Sequence, residues 1–343
     1  MRYFDVVTPA SSDRIVILIP VFDDWESATL LLAALDRAMA NQPSLDAEVL
    51  FVDDGSRLAT PAGFAAGEFA ALRKVSILRL RRNLGHQRAI AVGLVFVYQH
   101  FACRAVVVMD GDGEDRPEDI STLAAKFNQE SGCEVVFAER TKRLEGLVFR
   151  VFYRLYRVIH QILTGDPVRV GNFSMVRYEA LGKLVVLPEV WQHYAAAIIR
   201  ARLRFQTVPI PRGKRLAGHS KMNFIGLLLH GLTAFFVYGD IVGARLLVGI
   251  ALAAVGAAAL GIVGIATHRT GGMSGYLLAT LGVLIVLQAI PIALIVVFIV
   301  VGNRSNTGFL PIRDCPYFVS GLETVFPERM TIPAVAMEVR GAG

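Results

Sequence analysis

Two long runs without a charged residue constrain this chain more than any other feature. They cover residues 246–266 and 276–301, and each exceeds the roughly 20 apolar residues that a helix needs to cross a bilayer. A buried helix of a soluble protein is the alternative for one such run, but two in succession favour a membrane-spanning pair. With 54% of the residues hydrophobic, we predict two transmembrane helices within residues 243–301.

The charges around these runs indicate their orientation. Basic residues precede the first run and, more weakly, follow the second at Arg304 and Arg313. Because basic loops stay in the cytoplasm, both the N-terminal part and the tail are expected there. A net charge of +6 also occurs in proteins that bind nucleic acid. Beside two membrane spans it favours a face against anionic lipid instead, so we expect no nucleic-acid partner.

The N-terminus and the cysteines also favour the cytoplasm. Residues 1–7 lack the apolar segment of a signal peptide. The three cysteines, Cys103, Cys133 and Cys315, are far apart and odd in number. They match neither a disulfide framework nor a zinc site, and a reducing compartment suits them.

The N-terminal half of the chain alternates between predicted strands and helices. The strands are predicted at residues 15–20, 48–52, 75–80, 105–109 and 135–140, with helices at 26–41 and 87–100. This order is typical of an α/β fold with a parallel, doubly wound sheet. Ligands bind such sheets at the carboxyl ends of the strands, and the polar pairs Asp23-Asp24, Asp53-Asp54 and Arg82-Asn83 all follow strands. Solvation of loops alone would not place every polar cluster at that one edge.

An acidic stretch follows the fourth predicted strand. Asp110, Asp112 and Glu114 alternate with Gly111 and Gly113. If strand alternation continues, the three carboxylates point to one face, and the glycines allow a tight turn. Three oxygen ligands suit Mg²⁺ or Mn²⁺, which keep positions open for water and phosphates. The alternative is a solvated acidic loop.

The other polar clusters have both a functional and a structural interpretation. Asp53 and Asp54 could accept hydrogen bonds from a nucleobase and a ribose, or they could simply form a turn. Arg82 could neutralise a diphosphate, and Asn83 opens a segment that could bring backbone donors close to it. The alternative for both residues is a solvated basic loop, and we expect no catalytic role for His86.

Four motifs together resemble a known family. They are IPVFDD at 19–24, VDDGS at 52–56, RNLGHQRA at 82–89 and MDGDGEDRPE at 109–118. The chain resembles the family 2 glycosyltransferases of GT-A fold, and among them the polyisoprenyl-phosphate glycosyltransferases, which include dolichol-phosphate mannose synthase and bacterial undecaprenyl-phosphate sugar transferases. The resemblance covers roughly residues 14–224. Asp23-Asp24 replaces the Asn-Glu that the family often has, and Glu114 replaces a glutamine.

The resemblance implies an architecture and two substrates. It implies a cytoplasmic GT-A domain at 1–223, followed by an interfacial amphipathic helix at 224–242, a two-helix transmembrane region at 243–301 and a cytoplasmic tail at 302–343. The tail itself shows no motif. The donor is expected to be a nucleotide diphosphate sugar, with UDP favoured, and the acceptor a polyprenyl phosphate such as undecaprenyl phosphate in a bacterial inner membrane. The residues expected to bind the nucleotide are Pro20, Asp24, Asp53, Asp54, Arg82, Asn83, Asp110 and Gly111.

The resemblance also implies roles in an inverting transfer. Asp110, Asp112 and Glu114 would hold Mg²⁺ or Mn²⁺ against the diphosphate, with Asp112 counted among the catalytic residues. The other expected catalytic residues, which would draw the lipid phosphate in, are Arg140, Arg215 and Lys221. The last two lie in a basic loop at 209–222 that matches the family segment closing over the active site. Its cations could instead be a positive-inside anchor.

Three further segments concern the acceptor, the membrane and assembly. Asn172-Phe173-Ser174 replaces the Asp-Phe-Arg that is commoner in the family's acceptor region. The basic, aromatic segment at 143–157 is predicted as a helix on the membrane surface or as a core helix with a charged outer face. The glycine- and alanine-rich segment 249–264 allows close packing against the second run or against another copy in a homo-oligomer.

Two other functions remain open on sequence alone. A processive polysaccharide synthase would carry a Gln-x-x-Arg-Trp motif, which Trp191-Gln192-His193 does not supply. A non-catalytic membrane scaffold would not need the acidic and basic clusters to be intact.

Overall fold

The structure, a computed structural model, describes residues 14–130, 132–140, 158–165, 170–218, 237–268, 273–305, 308–327 and 330–333. By its internal contacts the chain divides into two compact units. One unit comprises Met1–Glu145, Arg169–Val237 and Phe309–Gly343, and the other comprises Gly146–Val168 and Tyr238–Gly308.

The first unit contains a sheet with helices on both faces. Its strands are β1 (Arg14–Val21), β2 (Asp46–Asp53), β3 (Leu72–Leu80), β4 (Ala105–Val108), β5 (Val135–Arg140), β6 (Ser174–Arg177), β7 (Phe205–Ile210), β8 (Val319–Phe326) and β9 (Met330–Pro333). Its main helices are α1 (Trp25–Ala40), α2 (His86–His100), α3 (Asp119–Gln129), α4 (Tyr178–Leu184) and α5 (Tyr194–Arg200). Short 3₁₀ turns cover Pro188–Trp191 and Cys315–Phe318.

The central strands are parallel, and the sequence predicted this. The strand order is β7-β5-β6-β4-β1-β2-β3-β8-β9, and the neighbours from β4 to β3 all pair in parallel. Antiparallel strands join on both sides, β6 against β4 and β8 against β3. The mixed α/β class with a parallel centre is therefore confirmed. From β1 the chain adds β2 and β3 on one side of the sheet and then crosses over to add β4 on the other side of β1. In open α/β sheets, such a change in the order of the strands forms the ligand crevice.

Each central strand is buried on both faces. In β1, Val16 and Leu18 belong to one apolar core and Ile15 and Ile17 to the other, and all four are fully buried. Alternate side chains of a strand point to opposite faces, so a strand covered on both sides needs an unbroken apolar sequence. Helices α2, α4 and α5 pack on one face, and α1 and α3 pack on the other.

The segment after residue 302, in which the sequence shows no motif, contributes two strands to this sheet. Strand β8 pairs with β3, and β9 pairs with β8. The sequence signal is alternation: Val319, Gly321, Glu323 and Val325 are buried, and the residues between them are more exposed. The sheet is therefore built from chain that precedes the second unit and chain that follows it.

The second unit contains the two long apolar helices, α6 (Gly239–His268) and α7 (Met273–Ser305). Both are long and apolar enough to cross a membrane, over Gly239–Gly264 and Thr280–Val297, and these windows are only 12% and 6% buried. A core helix of a soluble protein would be mostly buried, so this exposure argues against that alternative. The helices approach closely, because a Cβ on Gly282 would lie 2.5 Å from the carbonyl oxygen of Ala257.

Two predicted segments lie largely outside the described residues. Of the predicted interfacial helix at 224–242, only residues 237–242 are described, and from Gly239 onward they form the start of α6. The basic, aromatic segment at 143–157 is not among the described residues.

Candidate active site

The loops after β1 and β4 meet at the crevice between these two parallel strands. Gly111 follows β4, and a Cβ at this position would lie 3.1 Å from the carbonyl oxygen of Pro20 at the end of β1. This contact is tighter than most Cβ contacts in proteins, so a side chain at this position would require the neighbouring strand end to shift. Pro20 and Gly111, both predicted to bind the nucleotide, are thereby adjacent.

The acidic stretch after β4 is a turn and not a continued strand. Strand β4 ends at Val108, so the prediction that strand alternation converges three carboxylates is wrong in its premise. Each carboxylate instead faces its own nitrogen: Asp110 Oδ1 lies 3.2 Å from His86 Nε2, Asp112 Oδ2 lies 3.0 Å from Arg215 Nη1, and Glu114 Oε2 accepts from Arg212 Nε at 2.9 Å. Across the described ranges, no three acidic, histidine or cysteine side chains are grouped so as to hold a metal.

Asp115, which sequence reasoning missed, organises the acidic turn. One of its oxygens accepts the backbone N–H of Asp110 at 2.9 Å, and the other accepts Arg140 Nη2 at 2.9 Å. Burial, with the nearby charge of Asp110, raises the pKa of Asp115 to about 7, and Arg140 opposes this shift. Arg140, predicted to draw in the acceptor phosphate, is thus bonded to the turn, with Nη2 also 3.7 Å from Asp110 Oδ2.

The basic loop lies directly on the acidic turn. The N–H of Gly213 donates to the Glu114 carbonyl at 2.8 Å, and the N–H of Leu216 donates to the Asp112 carbonyl at 2.9 Å. Gly113 has a φ of +86°, and a Cβ there would collide with Leu216. The described part of this segment, residues 209–218, therefore covers the turn. Lys221 lies outside the described residues.

Arg215 joins the two loops that meet at the site. Its guanidinium contacts Asp112 at 3.0 Å and also pairs with Asp24, and its Nε donates to the Ala217 carbonyl at 2.8 Å. Asp24 accepts a further hydrogen bond from Ser27 Oγ at 2.9 Å, in the first turn of α1. The predicted residues Asp24, Asp112 and Arg215 are therefore in direct contact, although they are far apart in sequence.

Asp53 and Asp54 hold the neighbouring loops in place. Asp53 accepts the N–H of Ser56 and Arg79 Nη1, both at 2.9 Å, which matches the turn interpretation. Asp54 accepts the N–H groups of Leu84 at 2.7 Å and Gly85 at 2.8 Å. Burial raises the pKa of Asp54, and these hydrogen bonds oppose the shift. Asp54 thereby ties the loop after β2 to the loop after β3.

Arg82 and Asn83 have a fixed backbone and exposed side chains. Gly55 has a φ of +67°, and a Cβ on it would lie 2.5 Å from the carbonyl carbon of Arg82 and 2.6 Å from the nitrogen of Asn83. Only glycine allows this approach. Both predicted nucleotide-binding side chains therefore reach solvent from an anchored loop.

His86, for which the sequence predicted no catalytic role, lies at the acidic turn with Gln87 and Asn172. His86 Nε2 is 3.0 Å from Asn172 Nδ2, and Gln87 Nε2 donates to Asn172 Oδ1 at 3.1 Å. Nothing in the local sequence signals this group, because Asn172 is separated from the other two residues by most of the domain.

Curated proteins with similar sequences are named as glycosyltransferases. An uncharacterized glycosyltransferase of Bacillus subtilis, YkcC, is 28% identical over 240 residues, covering 68% of each chain. A prophage bactoprenol glucosyl transferase homolog of Escherichia coli is 25% identical over 231 residues, 66% of this chain and 73% of that one. An undecaprenyl-phosphate 4-deoxy-4-formamido-L-arabinose transferase of Erwinia tasmaniensis is 30% identical over 162 residues, 47% of this chain and 48% of that one.

A solved structure and a family model complete the comparison. Glucosyl-3-phosphoglycerate synthase from Mycobacterium tuberculosis matches with a TM-score of 0.49 at 17% identity, covering 67% of this chain and 80% of that one. A likeness of that size does not by itself decide between related α/β folds. Residues 16–185 match the model of Glycosyl transferase family 2. These residues contain most of β1, all of β2 to β6 and the acidic turn, but not the basic loop. The chain therefore contains a glycosyl transferase family 2 domain over residues 16–185.

Proposed function

We propose that this protein transfers a glycosyl group from a nucleotide diphosphate sugar, with UDP favoured, to a polyprenyl phosphate at a membrane surface. The proposal rests on the acidic turn at the crevice between β1 and β4. The basic loop covers this turn, and its arginines contact the acidic side chains. The names of the bactoprenol and undecaprenyl-phosphate transferases among the relatives support the choice of acceptor. A GT-A fold for the first unit belongs to the same proposal.

The acidic turn fits a hard divalent cation in its chemistry. Its side chains offer carboxylate oxygens, the ligands that Mg²⁺ and Mn²⁺ prefer. Asp110 Oδ1 is buried, with His86 Nε2 at 3.2 Å, and a buried carboxylate oxygen is costly unless something positive satisfies it. We assign Asp110 and Asp112 as ligands, with Glu114 as a third. A bound ion would offset the charge that builds on the departing diphosphate.

The residues of the chain supply positioning and electrostatics. The lipid phosphate is already anionic at neutral pH, so the transfer needs no strong general base. Arg215 of the covering loop is assigned to the acceptor phosphate, together with Lys221, which follows that loop in the sequence. Arg140, bonded to Asp115, holds the shape of the turn and counters its negative charge. Arg82 and Asn83, exposed on an anchored loop, are assigned to the donor nucleotide with Asp24, Asp53 and Asp54.

Incubation of membranes with labelled nucleotide sugars and undecaprenyl phosphate tests the proposal. The expected result is label in the extracted lipid with one donor of a panel that includes UDP- and GDP-sugars, and none when the lipid phosphate is omitted. Label in a long polymer would favour a processive synthase. Folded protein that labels no lipid with any donor would contradict the proposed acceptor.

The sheet also predicts how the chain crosses the membrane. In the sequence, β7 precedes the α6–α7 pair and β8 follows it, and both strands belong to one sheet. A sheet cannot form across a bilayer, so the chain must enter the membrane and come back out of it on the side where the sheet lies. We therefore propose two crossings, with both flanking segments in the cytoplasm and residues 269–272 on the opposite side. In this proposal the catalytic domain is the first unit, Met1–Glu145, Arg169–Val237 and Phe309–Gly343, so the residues after 308 are more than a tail.

Single-cysteine labelling tests this topology. The natural cysteines are buried, so an impermeant maleimide should label the wild type weakly. His268→Cys, at the end of α6, and Ser305→Cys, at the end of α7, should react from opposite sides in oriented vesicles. Reaction of both from the same side would contradict the two-crossing arrangement.

A further inference from the structure

A short helix in the second unit has polar side chains inside and apolar side chains outside. It covers residues 158–164. His160 and Thr164, one turn apart, are buried. The exposed side chains include three large apolar ones, those of Val158, Ile159 and Ile162. A helix on the surface of a protein in water buries its apolar stripe, so this arrangement is the reverse of the one that water favours.

The polar side of the helix is packed against the start of α6. Thr164 Oγ1 donates to the His160 carbonyl at 2.8 Å and lies 3.1 Å from His160 Nδ1. The His160 ring meets the ring of Tyr238 edge to face, with the centroids 6.1 Å apart. Tyr238 is buried and directly precedes α6. The helix therefore rests on α6 by its polar side and leaves its apolar side uncovered.

The exposed surface of the helix has an apolar edge. Because successive helical residues are about 100° apart, Val158, Ile159 and Ile162 fall within one arc of about 100°, and these three residues are called the apolar edge. Gln161, which is also exposed, lies outside the arc. An apolar arc beside a polar one is typical of a helix that lies in the surface of a membrane.

Arg245 on α6 fixes the level of this helix. Its Nη1 donates to the Ile162 carbonyl at 2.7 Å, beside Gly165, whose φ of +89° ends the helix. A guanidinium is favourable at such C-terminal carbonyls. Arg245 is followed at once by the first uncharged run, 246–266, and an arginine at the end of a membrane span keeps its charge at the headgroups. The helix bonded to Arg245 therefore lies at that level too.

We propose that the apolar edge is a lipid-contacting surface, immersed in the cytoplasmic face of the bilayer beside α6, and that Arg245 is the positioning residue that holds it there. The inference rests on the proposed function in taking α6 to cross the membrane. The occupant is lipid, because the exposed apolar surface continues directly after Arg245 on α6, at Leu246 and Val248. Contiguous exposed apolar surface of this kind marks an interaction site.

Nitroxide depth measurements on the full chain in lipid nanodiscs test this surface. A nitroxide on Ile162→Cys should collide more with oxygen, which concentrates in lipid, than with a water-soluble nickel chelate. Leu58 is the matched control, because it is an aliphatic residue of the first unit that is 60% exposed, against 65% for Ile162. The nitroxide on Leu58→Cys should show the reverse order. The wild type, whose cysteines are buried, gives the background. Nickel excess at Ile162, or protection from both reagents by a covering protein, would overturn the inference.

Two further variants separate this inference from the proposed function. Leu252 is exposed on α6, so a nitroxide on Leu252→Cys reports whether α6 crosses the membrane. Oxygen excess at Leu252 with nickel excess at Ile162 contradicts the inference alone, whereas nickel excess at both contradicts the crossing. Adding Arg245→Ala to Ile162→Cys should lower the oxygen-to-nickel ratio at Ile162 and leave the ratio at Leu252 unchanged. An unchanged ratio at Ile162 would overturn the role of Arg245.

Discussion

Replacing Asp112 with asparagine should lower the rate of glycosyl transfer by at least about 100-fold. The Asp112 carboxylate has two separate tasks in the structure. Its Oδ1 accepts the N–H of Glu114 at 2.9 Å, and its Oδ2 faces Arg215. Asparagine retains the first contact and removes the negative charge needed at the second. The variant should therefore fold normally and lose the electrostatic function, and Asp112→Ala should lose it too.

The measurement is initial rate against Mn²⁺ concentration, with unfolding followed in parallel. Asp46 provides a matched control, because it is an aspartate paired with arginines at the opposite end of β2, with a similar side-chain exposure of 30% against 22% for Asp112. Asp46→Asn should keep nearly full activity. Full transfer by Asp112→Asn, or by the wild type with no divalent metal, would show that the assignment of this carboxylate is wrong.

The parts of the fold that the sequence predicts are those whose burial is complete and whose partners are nearby in the chain. Strands β1 and β2 contain uninterrupted apolar runs, at residues 15–21 and 49–52, where helices cover both faces of the sheet. Strand β5 is predicted with the bounds that the structure has. Strands β6, β7, β8 and β9 were not predicted. Strands β6 and β9 are short, and β8 pairs with β3 across more than 200 residues of sequence, so local patterns contain no information about its partner.

The sequence likewise predicts only part of the candidate site. The sequence identifies Asp110, Asp112 and Glu114 as acidic and adjacent, but it does not show that the strand has already ended at Val108. Alternation therefore predicts convergence of the carboxylates on one point. In the turn, Asp112 pairs with Arg215, whereas Asp110 and Glu114 both lie within 4 Å of Arg140. Such partners are remote: Arg215 is 103 positions from Asp112. Contacts of this kind depend on tertiary structure and cannot be obtained from spacing.

The second large effect concerns stability, and it tests whether the C-terminal segment belongs to the catalytic domain. Glu323 on β8 accepts Arg79 Nη2 at 2.6 Å, and Arg79 also donates to Asp53. The Glu323 side chain is 9% exposed and the Arg79 side chain 33%. Removing one member of a buried ion pair costs about 3–5 kcal/mol. The partial exposure of Arg79 reduces this, so Glu323→Ala should lower the free energy of unfolding by about 2–3 kcal/mol.

Chemical unfolding of the detergent-solubilised protein measures this loss. Glu323→Gln retains a hydrogen-bond acceptor for Arg79 and should lose less than half as much stability as Glu323→Ala. Glu130 forms an exposed pair with Lys126 on one helix, so Glu130→Ala should change the free energy of unfolding by no more than about 0.5 kcal/mol. If Glu323→Ala were as stable as Glu130→Ala, β8 would not be held to β3 by this ion pair. Backbone pairing alone would then hold the returning chain to the sheet.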